Sequence, residues 1–347
     1  MKSIASSREP QIRWASWPDS ARKFLSIKMV LQPAAIPALI SPSLSPIIQL
    51  SFILIPSLFA EEVSIPGLGF DTFDEAMDRA VEALSVCAEK LKKRNVVLAR
   101  SVATEACRQA VNGAQFIERV KRETGIHLDI ISPKEEARLA VMGCHALLEQ
   151  GEGPALIFDI GGGSTELVLV STTGGVPEIL DWVSVPWGVV SLTESERAEA
   201  ETPEQLNAIY TSMRAKVMAS FAEFAARLPE DGGDRRLLGT SGTVTTLASV
   251  YLKLNSYDRR AVDGLHLPTA AMREISRELA GRTIERRAEF PTIGHERADL
   301  VVAGCAILEA IFDIWPGERL GVADRGIREG ILRALMASDA KRRNRRN

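Results

Sequence analysis

Cysteine is scarce in this chain and never paired in sequence. Cys87, Cys107, Cys144 and Cys305 are scattered through 347 residues, with no CxxC and no histidine at zinc-ligand spacing. That excludes a cysteine-held structural metal and points to reduced thiols in a cytosolic protein. An excess of charge is missing too: 42 Lys and Arg stand against 45 Asp and Glu, a formal net charge of −3. Such a balance gives no electrostatic reason to expect nucleic acid as a partner. No internal repeat of short period is visible. What is present, 46% hydrophobic and 25% charged residues over a length sufficient for two domains, is the composition of an ordinary globular protein.

The most conspicuous local absence is charge between Met29 and Ala60, 32 positions that carry five prolines. Three readings compete for this front end. A secretory signal would place Lys23 and Lys28 ahead of the apolar run and a small residue near Ala60, but the run is too long and its lead-in too extended. A membrane anchor has the length, but prolines at 33, 37, 42, 46 and 56 leave no clean twenty-residue helix, and IIQLSFILI (47–55) is short. The third reading is that residues 1–61 are not a native domain start but a disordered or mistranslated segment, produced by a frame error upstream in the gene.

From Asp74 the texture becomes regular. DEAMDRAVEALSVCAEKLKKRN spaces Met77, Ala80, Val81, Leu84, Cys87, Ala88 and Leu91 as a helix and ends in basic residues that suit a helix C-terminus. VVLARSVA (96–103) follows as a strand. TEACRQAVNGAQFIERVKRETG reads as a helix interrupted at Asn112-Gly113 and stopped by Gly125. IHLDIIS is the next strand. The helix after it has a complete start signal: Ser132 as N-cap, Pro133 at the first helical position, Glu135 three residues after the cap. Strand–helix alternation of this kind predicts an α/β protein. The terminal KRRNRRN reads as a solvated basic tail. His266 and His295 read as packing or surface residues.

Two glycine loops carry the chemistry. In FDIGGGSTELVLV (158–170) three consecutive glycines separate two strand-like runs, so a tight hairpin turn is predicted. A Rossmann or Walker loop leads into a helix instead. Successive glycine N–H groups in a turn form an anion nest, and without Cβ atoms phosphate oxygens reach the main chain. Asp159 ends the first strand and Glu166 opens the second, positions suited to carboxylates that hold a divalent cation beside the phosphate through water. The second loop, GTSGT, sits between a strand and a helix: Gly239 and Gly242 flank Thr240 and Ser241, with Thr243 at the helix start. Main-chain donors, hydroxyls and a helix N-terminus together make an anion site. Two such loops suggest one polyanion held from two sides.

TEACRQAVN, IISPKEEARLAVMG, FDIGGGSTELVLV, LLGTSGTVTTLA, ERADLVVAGCAIL and DRGIREGIL occur in that order. Together, over about residues 72–338, they resemble the exopolyphosphatase / guanosine pentaphosphate phosphohydrolase family, a branch of the actin–Hsp70–sugar kinase superfamily. The resemblance implies an α/β fold of two actin-like (RNase H-like) domains with a cleft between them, the first incomplete and extending over residues 62–140, the second over 141–338, with 339–347 a basic tail. It implies release of terminal phosphate from inorganic polyphosphate or guanosine pentaphosphate with Mg2+, in the cytoplasm, on a small polyanionic substrate, without nucleic acid or membrane. Many relatives pair as homodimers, a state that these residues do not by themselves derive. Glu136 resembles the glutamate that activates the attacking water, and Asp159 and Glu166 the carboxylates that position metal and water. Gly161, Gly162, Gly163 and Ser164, with Gly239, Thr240, Ser241, Gly242 and Thr243, resemble the phosphate cradles. Arg108 resembles an arginine that contacts phosphate oxygens.

The chain departs from the family at its start. The Asp-x-Gly-Ser-Asn hairpin that family members carry upstream of this region has no counterpart here. The resemblance therefore favours the frame-error reading of residues 1–61. It implies a first domain short of strand partners, with an exposed edge, and a cleft lacking one wall. Two outcomes stay open on this reading: a phosphohydrolase with reduced activity, or an inactive module that captures phosphorylated ligands. An actin-like ATPase or sugar kinase is disfavoured, since no stretch resembles an adenosine-binding motif.

Overall fold

The computed structural model describes residues 74–344 apart from residue 97, residues 173–176, 197–199 and 231–233, and residues 201 and 296. The three readings of residues 1–61 fall outside the described residues.

In chain order the elements are α1 (Asp74–Lys93), β1 (Ser101–Ala103), α2 (Glu105–Gln109), α3 (Gly113–Thr124), β2 (Leu128–Ile130), α4 (Pro133–Cys144), β3 (Ala155–Ile160), β4 (Thr165–Ser171), β5 (Glu178–Val185), α5 (Val189–Glu194), α6 (Pro203–Ala225), β6 (Arg236–Thr240), α7 (Gly242–Tyr251), α8 (Arg259–Val262), β7 (His266–Pro268), α9 (Thr269–Ala280), α10 (Ile284–Ala288), α11 (Val301–Ile314), β8 (Arg319–Ala323) and α12 (Ile327–Asn344). Many ends are where the sequence puts them. Ser132 Oγ accepts from the Glu135 amide at 3.2 Å to start α4, and Thr202 with Gln205 forms a reciprocal cap on α6. The break at Asn112-Gly113 separates α2 from α3, and Gly125 closes α3 at φ 74°. The predicted strand over 96–103 is shorter, only Ser101–Ala103. Helix α12 continues through Asn344, into the segment read as a basic tail.

Two sheets are formed among the described residues. β1 and β2 pair in parallel, Ser101 opposite Leu128. α1 and α3 pack on this pair through Leu84, Cys87, Phe116, Val120 and Leu128. The larger sheet has six strands in the order β5-β4-β3-β6-β8-β7. Its centre, β3-β6-β8, is parallel, and its flanking pairs are antiparallel. Central strands buried on both faces read as unbroken apolar runs, which is why ALIFDI and ELVLV show no alternation.

Strand alternation then divides the core. Leu156, Phe158 and Ile160 face the large cluster built from α6, α7, α9 and α11. α11 is apolar over most of its circumference and is largely buried, with Glu309 and Asp313 paired to arginines. Ala155 and Ile157 face the opposite way and meet Ala137, Val141 and Cys144 of α4. A further cluster ties β1 and β2 to α4 and α12 through Val102, Ile131, Leu139, Ile327 and Ile331. Helix α4 thus touches both sheets, and the domain boundary expected at 140/141 falls inside it. Among the described residues no helix is long and apolar enough to cross a membrane.

Candidate active site

The parallel register brings the two glycine loops together. Asp159, one residue from the end of β3, lies opposite Thr240, the last residue of β6, and Thr240 in turn lies opposite Ala323, the last of β8. Neighbouring strands are about 4.8 Å apart, so the loops that leave them share one edge of the sheet. Both predicted phosphate loops therefore leave the same edge. A third segment that the sequence reading did not place in the site, Asp324–Gly326, leaves from β8 beside them.

The hairpin loop is clamped by its carbonyls. Gly161 N–H donates to the Ser164 carbonyl at 2.9 Å. The carbonyls of Gly161 and Gly162 accept from the first amides of α5, Val189 at 2.9 Å and Val190 at 2.8 Å. With its carbonyls turned to α5, the loop leaves the amides of Gly162 and Gly163 without a partner among the described residues. This contact requires Gly188, where a Cβ would sit 2.3 Å from the Gly162 carbonyl. Ser164 contributes differently from its neighbours: its hydroxyl donates to Glu166 Oε1 at 2.8 Å and is already committed.

In the second loop the five residues divide by role. Gly239 lies inside β6, and a Cβ there would come within 2.5 Å of the Phe158 ring, so its smallness serves the core. Thr240 Oγ1 donates to the Arg325 carbonyl at 2.6 Å. Ser241, the N-cap of α7, takes φ 95°, a left-handed conformation that costs a non-glycine residue on the order of 1–3 kcal/mol. Its Oγ is buried without a hydrogen-bond partner. Gly242 and Thr243 open α7, and Thr243 is packed against Gly304, where a Cβ would stand 2.5 Å from Thr243 Oγ1. A strained turn, an orphaned hydroxyl and a ten-residue helix aimed at the same point fit an oxyanion.

Three carboxylates stand over these loops. Asp159 and Glu166 are direct cross-strand partners in β3–β4, and alternation places both on the face that carries α4. Glu136 lies in the first turn of α4 and is buried. Burial, then the charge of Glu136, push Asp159 up to about 7. Glu166 is pushed well above the carboxylate range by burial and by both neighbouring acids, although Ser184 and Ser164 oppose this by donating at 2.7 and 2.8 Å. Glu136 itself is raised, mainly by burial, against the pull of Arg108.

Arg108 is turned inward. Its Nη2 and Nε meet Glu105 Oε2 at 2.7 and 3.0 Å, and Nη1 donates to the Ile131 carbonyl at 2.7 Å while lying 2.8 Å from Glu136 Oε2. The structure thus places it as the counter-charge of Glu136, with most of its donors engaged, while Glu136 Oε2 receives no aligned hydrogen bond.

A magnesium ion fits this donor set in one particular way. No three or more His, Cys, Asp or Glu side chains among the described residues are gathered closely enough to hold a metal by themselves. Two like charges directly opposed on neighbouring strands are nonetheless destabilising unless compensated. Magnesium commonly keeps several waters and takes one or two carboxylates plus substrate phosphates, which suits Asp159 and Glu166. The four cysteines are free and buried.

Comparison with known proteins identifies the family. Residues 71–339 match the Ppx/GppA phosphatase family. The chain belongs to that family. It is 31% identical over 242 residues to Exopolyphosphatase 2 of Mycobacterium tuberculosis, covering 68% of this chain and 73% of that protein. It is 29% identical over 274 residues to a guanosine-5'-triphosphate,3'-diphosphate pyrophosphatase of Aliivibrio fischeri, covering 76% of this chain but spanning only 50% of that longer protein. Among solved structures, an exopolyphosphatase-like protein superposes with a TM-score of 0.67 at 26% identity, covering 76% of this chain and 84% of the other. The Aquifex aeolicus Ppx/GppA family member superposes at 0.63 and 27% identity, covering 78% and 84%. The α/β, actin-like fold expected from the sequence motifs is borne out, and the chain is a member of a family of phosphohydrolases.

Three features of the site escaped the sequence reading. Gly188 had no motif around it. The Asp324–Gly326 turn was visible as DRGIREGIL, but only as a family marker. The inward orientation of Arg108 depends on Ile131 and Glu136, more than twenty residues away in sequence.

Proposed function

We propose that this chain is a Mg2+-dependent phosphohydrolase that releases the terminal phosphate of inorganic polyphosphate or of guanosine pentaphosphate, as a cytoplasmic enzyme. The observation that carries the reading is the meeting of two anion-suited loops with the buried Glu136 and Glu166 and the half-buried Asp159 at one sheet edge. The free amides of Gly162 and Gly163, with the Ser241 hydroxyl and the first amides of α7, hold the terminal phosphate. Arg108 favours the ionised form of Glu136 against a burial that favours the protonated form. Glu136 accepts a proton from water as the water oxygen bonds to the terminal phosphorus, and the bond from that phosphorus to its bridging oxygen breaks. The products are orthophosphate and a chain shorter by one phosphate. Phosphoryl transfer of this kind is mostly positioning and charge stabilisation. When bound at Asp159 and Glu166, Mg2+ would offset the charge on the phosphate oxygens.

The test is a phosphate-release assay with polyphosphate and guanosine pentaphosphate, with and without chelator, run beside calorimetry. Release that requires Mg2+ supports the reading and ranks the two substrates. Binding without release would replace it with the phosphate-capturing module, and neither binding nor release would remove it.

A further inference from the structure

We infer that Asp263 is a positioning residue for this site, acting through the Asp324–Gly326 turn on Thr240 and Asp159; the inference rests on the phosphohydrolase reading above. Asp263 caps the end of α8 and lies outside the catalytic edge. Its two carboxylate oxygens take separate donors from the turn: Oδ1 accepts from the Asp324 amide at 3.0 Å, and Oδ2 from Arg325 Nε at 2.8 Å. The Asp263 side chain is only 11% exposed, while Arg325 is 37% exposed, so the carboxylate end of the pair is the sheltered one.

The turn so held reaches the site at two points. The Arg325 carbonyl accepts the Thr240 hydroxyl at 2.6 Å. A Cβ at Gly326 would stand 3.2 Å from Thr240 Oγ1 and 3.9 Å from an Asp159 carboxylate oxygen, so the turn's main chain forms a wall of the site at Asp159. The far side of the turn is fastened independently, by Arg259 Nη2 on the Asp324 carbonyl at 2.7 Å and by the Gly326 amide on Glu329 Oε2 at 2.8 Å. Asp263 is a link that fixes Arg325, whose carbonyl is bonded to the second phosphate loop. It also neutralises Arg325, whose charge would otherwise lie one residue from the Asp159 wall. Residues that hold a catalytic group through one intermediate fix geometry that a displacement of 1 Å can degrade by about 100-fold.

The test uses the full chain and two variants. Asp263→Asn keeps an acceptor for the Asp324 amide and removes the charge facing Arg325; Asp263→Ala removes both. The expected result for Asp263→Asn is a kcat lower by about 10-fold, within the range that misplacement of catalytic groups produces, with KM for polyphosphate changed less than kcat. The Mg2+ concentration for half-maximal rate should rise, which a purely structural role would not cause. Adding Arg325→Met to Asp263→Asn should cost less than the separate effects combined, since both act through one contact. Unchanged kcat and Mg2+ dependence, with only the melting temperature lowered, would overturn the inference. Amide exchange separates this from failure of the phosphohydrolase reading. If the wild-type chain releases no phosphate, faster exchange at residues 240–243 in Asp263→Asn still supports the link, and unchanged exchange there overturns it.

Discussion

Asp159 and Glu166 face each other across β3 and β4, and folding makes each harder to ionise. The sign for stability follows from linkage. Asp159 binds its proton more tightly folded than unfolded, so its contribution is fully present below the unfolded value near 3.8 and is lost as pH rises through about 7. Metal-free protein should therefore lose stability between pH 4 and 7 from this group, and Asp159→Asn should remove that loss while impairing phosphate release. Added Mg2+ should raise the melting temperature more at pH 8 than at pH 5, because the ionised pair is the form that binds it. Thermal unfolding with and without Mg2+ at the two pH values checks this; an equal shift at both would contradict it. Arg108 gives a second prediction. It is the group that pulls Glu136 down, so Arg108→Met should move the acid limb of the kcat/KM profile to higher pH. A profile lower in rate but unmoved along the pH axis would instead make Arg108 a phosphate ligand alone.

At the level of elements, helices α4 and α12 meet backbone to backbone. A Cβ at Gly143 would lie 1.9 Å from the Gly326 carbonyl, and one at Gly330 would lie 1.9 Å from the Leu139 carbonyl. Alanine is favoured over glycine inside a helix by about 1 kcal/mol, but here main chain stands in the way, and overpacking costs about 1–3 kcal/mol. Gly143→Ala should therefore be destabilising in urea denaturation. It should also lower activity beyond the stability loss, because α4 carries Glu136 and Gly326 borders Asp159. A stabilised, fully active variant would show that the two helices can part freely. The same contact marks where sequence reading stops. The start of α4 was legible from Ser132, Pro133 and Glu135 because a cap is a local hydrogen bond. The hairpin was legible because three glycines between apolar runs have few other uses. Gly143, Gly188 and Gly330 were not, because each owes its identity to main chain that is distant in sequence. The core's demand on Gly239 was hidden for the same reason, since the Phe158 ring that excludes a Cβ there comes from another strand.

For the molecule as a whole, the six-stranded sheet sets the site by bringing β3, β6 and β8 to a common edge, while α4 brings Glu136 from the side of the smaller sheet. The account depends on Glu136 acting on water rather than holding the substrate. The most direct test is Glu136→Gln, measured for both phosphate release and calorimetric affinity for tripolyphosphate with Mg2+. General-base assistance is worth about 100- to 10,000-fold. The account predicts a release rate lowered by that range with affinity close to that of the unaltered chain. Release at a near-unaltered rate would contradict it.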